Sequence, residues 1–179
     1  ITVGGGIRNI NDIQTALNSG ADKTAINTAA VKNPNFIKEA SKVFGSQCIV
    51  SSIDVKKNND NYWEVYTDNG REPTGINLVD WARTVEDLGA GEIMLTSIDM
   101  EGTKKGFDIE LNKLVSELVT IPIISSGGAG NSTHIIELHE ESKIDAVALA
   151  SIIHYDIEDL KTIKENISKS NLIRVRLWK

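Results

Sequence analysis

Two glycine runs, Gly4-Gly5-Gly6-Ile7 and Gly127-Gly128-Ala129-Gly130, each follow a short apolar stretch and precede one with helical spacing. Glycines in that position let backbone N–H groups close on a phosphate at the start of a helix. Neither run fits G-x-G-x-x-G, because Asn9 and Ser132 stand at the final glycine position, and neither carries the lysine of a P-loop. Taken singly, each is explained equally well as a tight turn with no ligand. Each, however, has a polar companion after the next apolar stretch: Asn27-Thr28 for the first and Ala150-Ser151 for the second. If neighbouring strands bring turn and companion together, amide, hydroxyl and backbone donors converge on one anion in each pair. Two such pairs predict two anion sites and a substrate phosphorylated at both ends. The alternative is that Thr28 and Ser151 only cap helices.

The tripeptide Ser-Ile-Asp occurs twice, ending on Asp54 and on Asp99, each after an apolar stretch. A carboxylate at a strand end serves as general acid or base in barrel enzymes. It serves as often to cap the turn that follows. After Asp99 comes a polar loop in which Glu101 and Thr103 are placed to face a substrate. His134 and His139 are five apart and share no helical face, so they make a poor metal pair, and His154 reads as structural. Cys48 reads as buried packing at the start of an apolar strand. Tyr62, Trp63 and Tyr66 read as the packed surface of a hairpin.

The elements that must position these residues follow from periodicity. Strands are expected at 1–3, 23–27, 47–54, 92–99, 122–125 and 145–149. Helices are expected at 11–19, 33–43, 78–88, 109–119, 133–139 and 157–167, with a hairpin inserted around 58–75. This alternation predicts an α/β domain with a parallel sheet and outer helices. The segment from Gly4 to Thr28 repeats as Gly127 to Ser151 at an offset of 123 without a gap, carrying Asp22 onto Asp145 and Ile13 onto Ile136. Doubled, that repeat approaches the roughly 250 residues of a (β/α)8 TIM barrel. In that frame residues 1–179 form a single partial barrel domain. Its first two βα units, roughly 70 residues, are expected to lie before Ile1.

Acidic residues outnumber basic ones by 25 to 19, for a net charge of −6, which argues against a nucleic-acid or anionic-membrane surface. One cysteine cannot form an internal disulfide, and no C-x-x-C pair points to zinc. No apolar run approaches the roughly 20 residues of a membrane span, and no secretory leader pattern stands out. A cytoplasmic protein without metal or cofactor is expected.

The runs T-V-G-G-G-I-R, A-D-K-T-A-I-N-T-A-A-V, F-G-S-Q, S-I-D-V-K-K, G-A-G-E-I-M-L-T-S-I-D, E-G-T-K-K-G-F-D and I-S-S-G-G-A-G stand in order. Together they closely resemble the cyclase subunits of imidazole glycerol phosphate synthase, over nearly the whole chain. The resemblance implies a (β/α)8 barrel with a two-fold repeat. Such a barrel takes ammonia from a glutaminase partner in a heterodimer. It converts a bisphosphate ribulosyl aminoimidazole carboxamide to imidazole glycerol phosphate.

By the same resemblance, Asp54 is the second catalytic aspartate, with Thr96 beside it. Gly6, Asn27 and Thr28 hold one phosphate. Gly102, Gly128, Ala150 and Ser151 hold the other, and Thr96 and Ser126 match substrate-side positions. Asp22 touches the glutaminase, Gln47 lies near the ammonia entrance, and Lys23 with Glu92 forms half of a charged gate. The family's first catalytic aspartate and its companion lysine would fall upstream of Ile1, and Glu101 replaces a usual aspartate. Two other readings stay open. One is a paralogous ammonia-dependent synthase acting on a nucleotide sugar. The other is an inactive barrel fragment that only binds.

Overall fold

The computed structural model describes residues 1–170, 173, 175 and 176. Strands and helices alternate: β1 (Thr2–Gly4), α1 (Ile10–Asn18), β2 (Lys23–Ile26), α2 (Thr28–Lys32), α3 (Asn35–Phe44) and β3 (Ile49–Lys57). Next come the hairpin strands β4 (Trp63–Thr67) and β5 (Glu72–Asn77), then α4 (Leu78–Asp87), β6 (Glu92–Ser97), α5 (Ile109–Leu118) and β7 (Ile123–Ser126). The chain continues through α6 (Ser132–Glu141), β8 (Ala146–Ala148), α7 (Ser151–His154) and α8 (Leu160–Lys169).

The helices start where the sequence supplies caps. Asn9, Asn77, Asp108, Asn131 and Asp159 each accept a hydrogen bond from a first-turn amide of α1, α4, α5, α6 and α8. At α1, Asp12 returns a bond to the backbone of Asn9 and completes a capping box.

Six strands run parallel in the order β1-β2-β3-β6-β7-β8, an α/β sheet of the barrel kind. Among the described residues β1 and β8 do not pair with each other. Burial alternates along the strands. Thr24, Ile26, Ile53, Ile93, Leu95 and Ile123 are sealed on one face, against helix residues such as Ile13, Ile37, Leu111 and Leu138. The alternate residues, among them Ala25, Ser52, Asp54, Met94, Thr96 and Ser126, are only half-buried. Side chains alternate across a strand, so these share the opposite face. Among the described residues no helix is long and apolar enough to cross a membrane.

Four sequence expectations need correcting. Asp54 does not end its strand: β3 runs on to Lys57 because its second half pairs antiparallel with β4, Asp54 opposite Tyr66 and Lys57 opposite Trp63. The repeat is not gapless. The helix caps Asn9 and Asn131 are 122 apart, but the starts of α2 and α7, Thr28 and Ser151, are 123 apart, because α6 has 10 residues to the 9 of α1. The buried counterpart of Ile13 is therefore Ile135 rather than Ile136. Cys48 packs against the core but is only partly buried, and it lies in a 3₁₀ turn before β3 rather than on the strand. Short helices α2 and α7 follow β2 and β8, too brief for a periodicity to register.

Candidate active site

The half-buried face carries a row set by strand register. Asp54 on β3 lies opposite Thr96 on β6, Thr96 opposite Ser126 on β7, and Ser126 opposite Ala148 on β8. Ser52, Met94, Ile124 and Ala146 form the next row down. Four residues before Thr96, about 13 Å along the strand, Glu92 pairs with Lys23 of β2 toward the N-terminal ends of the strands. Asp22 and Gln47 lie exposed at that same end, and Gln47 donates to the Phe44 carbonyl at 3.2 Å.

Two cavities flank the Asp54 row. The larger, of about 890 Å³, is lined by Gly4 to Arg8, Asn27, Thr28, Lys32, Ser52, Asp54 and the hairpin turn Asp68-Asn69. The smaller, of about 160 Å³, is lined by Glu101, Gly102, Ser126 to Ala129 and Leu149 to Ser151. Met94 borders both, so they open on the same face from either side of one side chain. Each glycine turn therefore meets its polar companion. Gly5 and Gly6 have φ of +91° and +74°, and Gly127 and Gly128 have +95° and +100°. Thr28 and Ser151 are the first helical residues, not caps; the caps Asn27 and Ala150 make no side-chain capping bond.

Asn27 Nδ2 donates to Asp54 Oδ2 at 3.0 Å and to the Tyr66 carbonyl at 3.2 Å, while its Oδ1 is buried without a partner. Its amide thus sits on the carboxylate as well as bordering the larger cavity. The Thr28 hydroxyl accepts from the Asp68 amide at 3.1 Å, which ties the hairpin turn to the cavity rim. Burial pushes the Asp54 carboxyl above its ordinary value. Bonds from Asn27 and Thr96 oppose that rise, and the negative charge of Glu101 adds to it. A carboxyl held up in this way shifts toward the range in which it both takes and gives a proton.

The twin Ser-Ile-Asp motifs separate here. Asp99 lies beyond the end of β6, and its Oδ2 accepts from the Lys57 amide at 2.9 Å, so it caps the strand extension. Glu101 faces the smaller cavity, whereas the Thr103 hydroxyl is spent on the Met100 carbonyl at 2.8 Å. Sequence reasoning passed over Arg8 and Lys32, two cations on the larger cavity. The available signal was that Arg8 follows the first glycine turn by two residues and Lys32 follows Thr28 by four. It also passed over Asp108, which caps α5 and accepts from Ser97 Oγ and Trp63 Nε1, both at 3.4 Å. His134 Nδ1 accepts from the Gly130 amide at 3.1 Å, and His154 packs edge-on to Tyr155.

The family model described as "Histidine biosynthesis protein" matches residues 1–159, a span that takes in both cavities and the Asp54 row. The chain belongs to that family. The imidazole glycerol phosphate synthase subunit HisF of Methanococcus vannielii is 48% identical over 192 aligned positions, covering 96% of this chain and 71% of that protein. The subunit of the same name from Methanococcus maripaludis is 46% identical over the same coverage.

Proposed function

We infer that the chain is the cyclase subunit of an imidazole glycerol phosphate synthase, a cytoplasmic lyase of histidine biosynthesis. The observation that carries this reading is the Asp54–Thr96–Ser126 row set between two anion-type pockets on one face. The substrate is a bisphosphate ribulosyl aminoimidazole carboxamide. One phosphate sits against Gly6 and Thr28, with Arg8 and Lys32 at hand. The other sits among Gly102, Gly128, Ala150 and Ser151. The reactive middle of the substrate then lies over Met94, beside Asp54. Asp54 takes and returns the protons of ring closure. Asn27 and Thr96 orient its carboxylate, and burial keeps its proton affinity high. Two separated pockets suit phosphates at both ends of a substrate; the pyrophosphate of a nucleotide sugar would need its charges in one place.

Ammonia enters from the N-terminal end of the strands through the Lys23–Glu92 pair, with Gln47 at the entrance, from a glutaminase subunit that rests near Asp22. That β1 and β8 each pair on one side only among the described residues, together with coverage of 71% of the relatives' length, supports reading the sheet as six strands of an eight-stranded barrel. The test is amide NMR of the labelled chain titrated with a bisphosphate sugar. Gly6 and Thr28 should respond together with Gly128 and Ser151. A response from only one cluster overturns the bisphosphate assignment.

A further inference from the structure

The smaller pocket has three walls: the loop at Glu101-Gly102, the turn Gly127 to Ala129, and the turn Leu149 to Ser151. The first two are joined backbone to backbone. The Gly106 amide donates to the Gly128 carbonyl at 2.8 Å. A Cβ on Gly130 would lie 2.2 Å from the Lys104 carbonyl oxygen, so no side chain fits between them. The third wall has a weaker footing. It follows β8, a strand of three residues whose first, Ala146, is exposed and which pairs with β7 alone among the described residues.

What grips this third wall lies just beyond it, in the connector between α7 and α8. Glu158 Oε2 accepts from the Ser132 amide at 2.7 Å. Its Oε1 accepts from Ser132 Oγ at 3.0 Å and from Asn166 Nδ2 at 2.8 Å. Ser132 is buried and opens α6, the helix that starts directly after the Gly127–Gly130 turn. Glu158 therefore ties the connector to the element carrying the second wall. Three residues earlier, Tyr155 takes the ammonium of Lys104 over its ring, 4.4 Å from the centroid. Lys104 belongs to the loop that forms the first wall. The connector is thus held at two points by the elements that carry the other two walls.

We propose that Glu158 is a positioning residue for the second phosphate pocket, setting the Ala150-Ser151 turn against the glycine turn, with the Lys104–Tyr155 pair as a second clasp. The proposal rests on the bisphosphate reading above. The first pocket offers an internal control, because its companion residue Thr28 is held by the hairpin amide of Asp68 and shares none of these contacts.

The experiment is a titration of the labelled chain with inorganic phosphate, reading affinity separately at Gly6/Thr28 and at Gly128/Ser151. In Glu158→Ala the affinity at Gly128/Ser151 should fall about three- to tenfold, the range of one lost hydrogen bond or a little more. Affinity at Gly6/Thr28 should stay unchanged. Glu158→Gln keeps an acceptor oxygen and should recover part of the loss. Tyr155→Leu, at an exposed position, should weaken the same cluster about two- to threefold. Wild-type affinity at the second cluster in a folded Glu158→Ala, or equal losses at both clusters, overturns the proposal. If Glu158→Ala does not fold, wild-type affinity at that cluster in both Glu158→Gln and Tyr155→Leu overturns it. A wild-type chain that binds phosphate only at Gly6/Thr28 removes the bisphosphate reading itself, and the proposal with it.

Discussion

Replacing one glycine in each turn by alanine should separate two positions that look alike in sequence. Gly6 and Gly128 both have positive φ, +74° and +100°, so an alanine at either bears the left-handed penalty of about 1–2 kcal/mol. Around Gly6 a new Cβ meets nothing within 4 Å. Around Gly128 it would stand 1.9 Å from the Gly106 carbonyl oxygen and 3.1 Å from Met100 Cβ. Backbone must move there, which costs about 1–3 kcal/mol as overpacking does. The Gly106–Gly128 hydrogen bond is lost with the movement, for about 1 kcal/mol more. Gly6→Ala should therefore cost about 1–2 kcal/mol and Gly128→Ala about 3–6 kcal/mol. Urea denaturation followed by circular dichroism reads both from midpoints at constant slope. Phosphate affinity at Ser151 should drop in Gly128→Ala and hold in Gly6→Ala. Equal losses of stability in the two variants would refute the wedge between the glycine turn and the loop after β6.

Three further outcomes follow from other parts of the site. The Asp54 carboxyl, followed by carbon-detected NMR, should titrate above its ordinary value. Asn27→Ala should move it higher, because the amide favours the charged form, and Glu101→Gln should move it lower. Because the folded-state value is raised, protonated Asp54 favours the fold at low pH, and that contribution is lost as pH rises through the raised value; Asp54→Asn should flatten this part of a denaturation-against-pH curve. Asp108→Ala removes a helix cap and leaves Ser97 and Trp63 without their acceptor, so it should lower stability by about 1–3 kcal/mol in the same urea assay. Finally, Asp22→Lys should weaken glutamine-driven turnover with the glutaminase while ammonia-driven turnover persists; equal loss of both would place Asp22 in folding or chemistry instead.

Much of the fold was legible because each parallel strand carries its own apolar run and most of the longer helices an Asn or Asp at the start. The repeat was legible too, but its register was not. Asp22 and Asp145 suggest 123 throughout, and only the paired caps Asn9 and Asn131 reveal the extra residue in α6. Strand length was misread at β3 because Val55, Lys56 and Lys57 are extended by a partner, β4, that arrives later in the chain. No local pattern announces a pairing of that kind. The same reason hid Asn27's bond to Asp54 and Asp108's bond to Trp63: both join residues 27 or more positions apart. The two Ser-Ile-Asp motifs show the limit most plainly. Identical tripeptides end on one carboxylate that faces a cavity and another that caps a strand, and only the register of β3 against β6 tells them apart.

The central claim is that Asp54 moves the protons of ring closure between two phosphate pockets. It is tested most directly by turnover with free ammonia in the enzyme containing this chain, comparing wild type with Asp54→Asn. The replacement keeps size and much of the hydrogen bonding to Asn27 and Thr96 but cannot exchange a proton. Turnover should fall by about 10²–10⁴-fold, the usual worth of a positioned acid or base. Binding of the bisphosphate substrate should change little. Near-normal turnover in Asp54→Asn would contradict the claim.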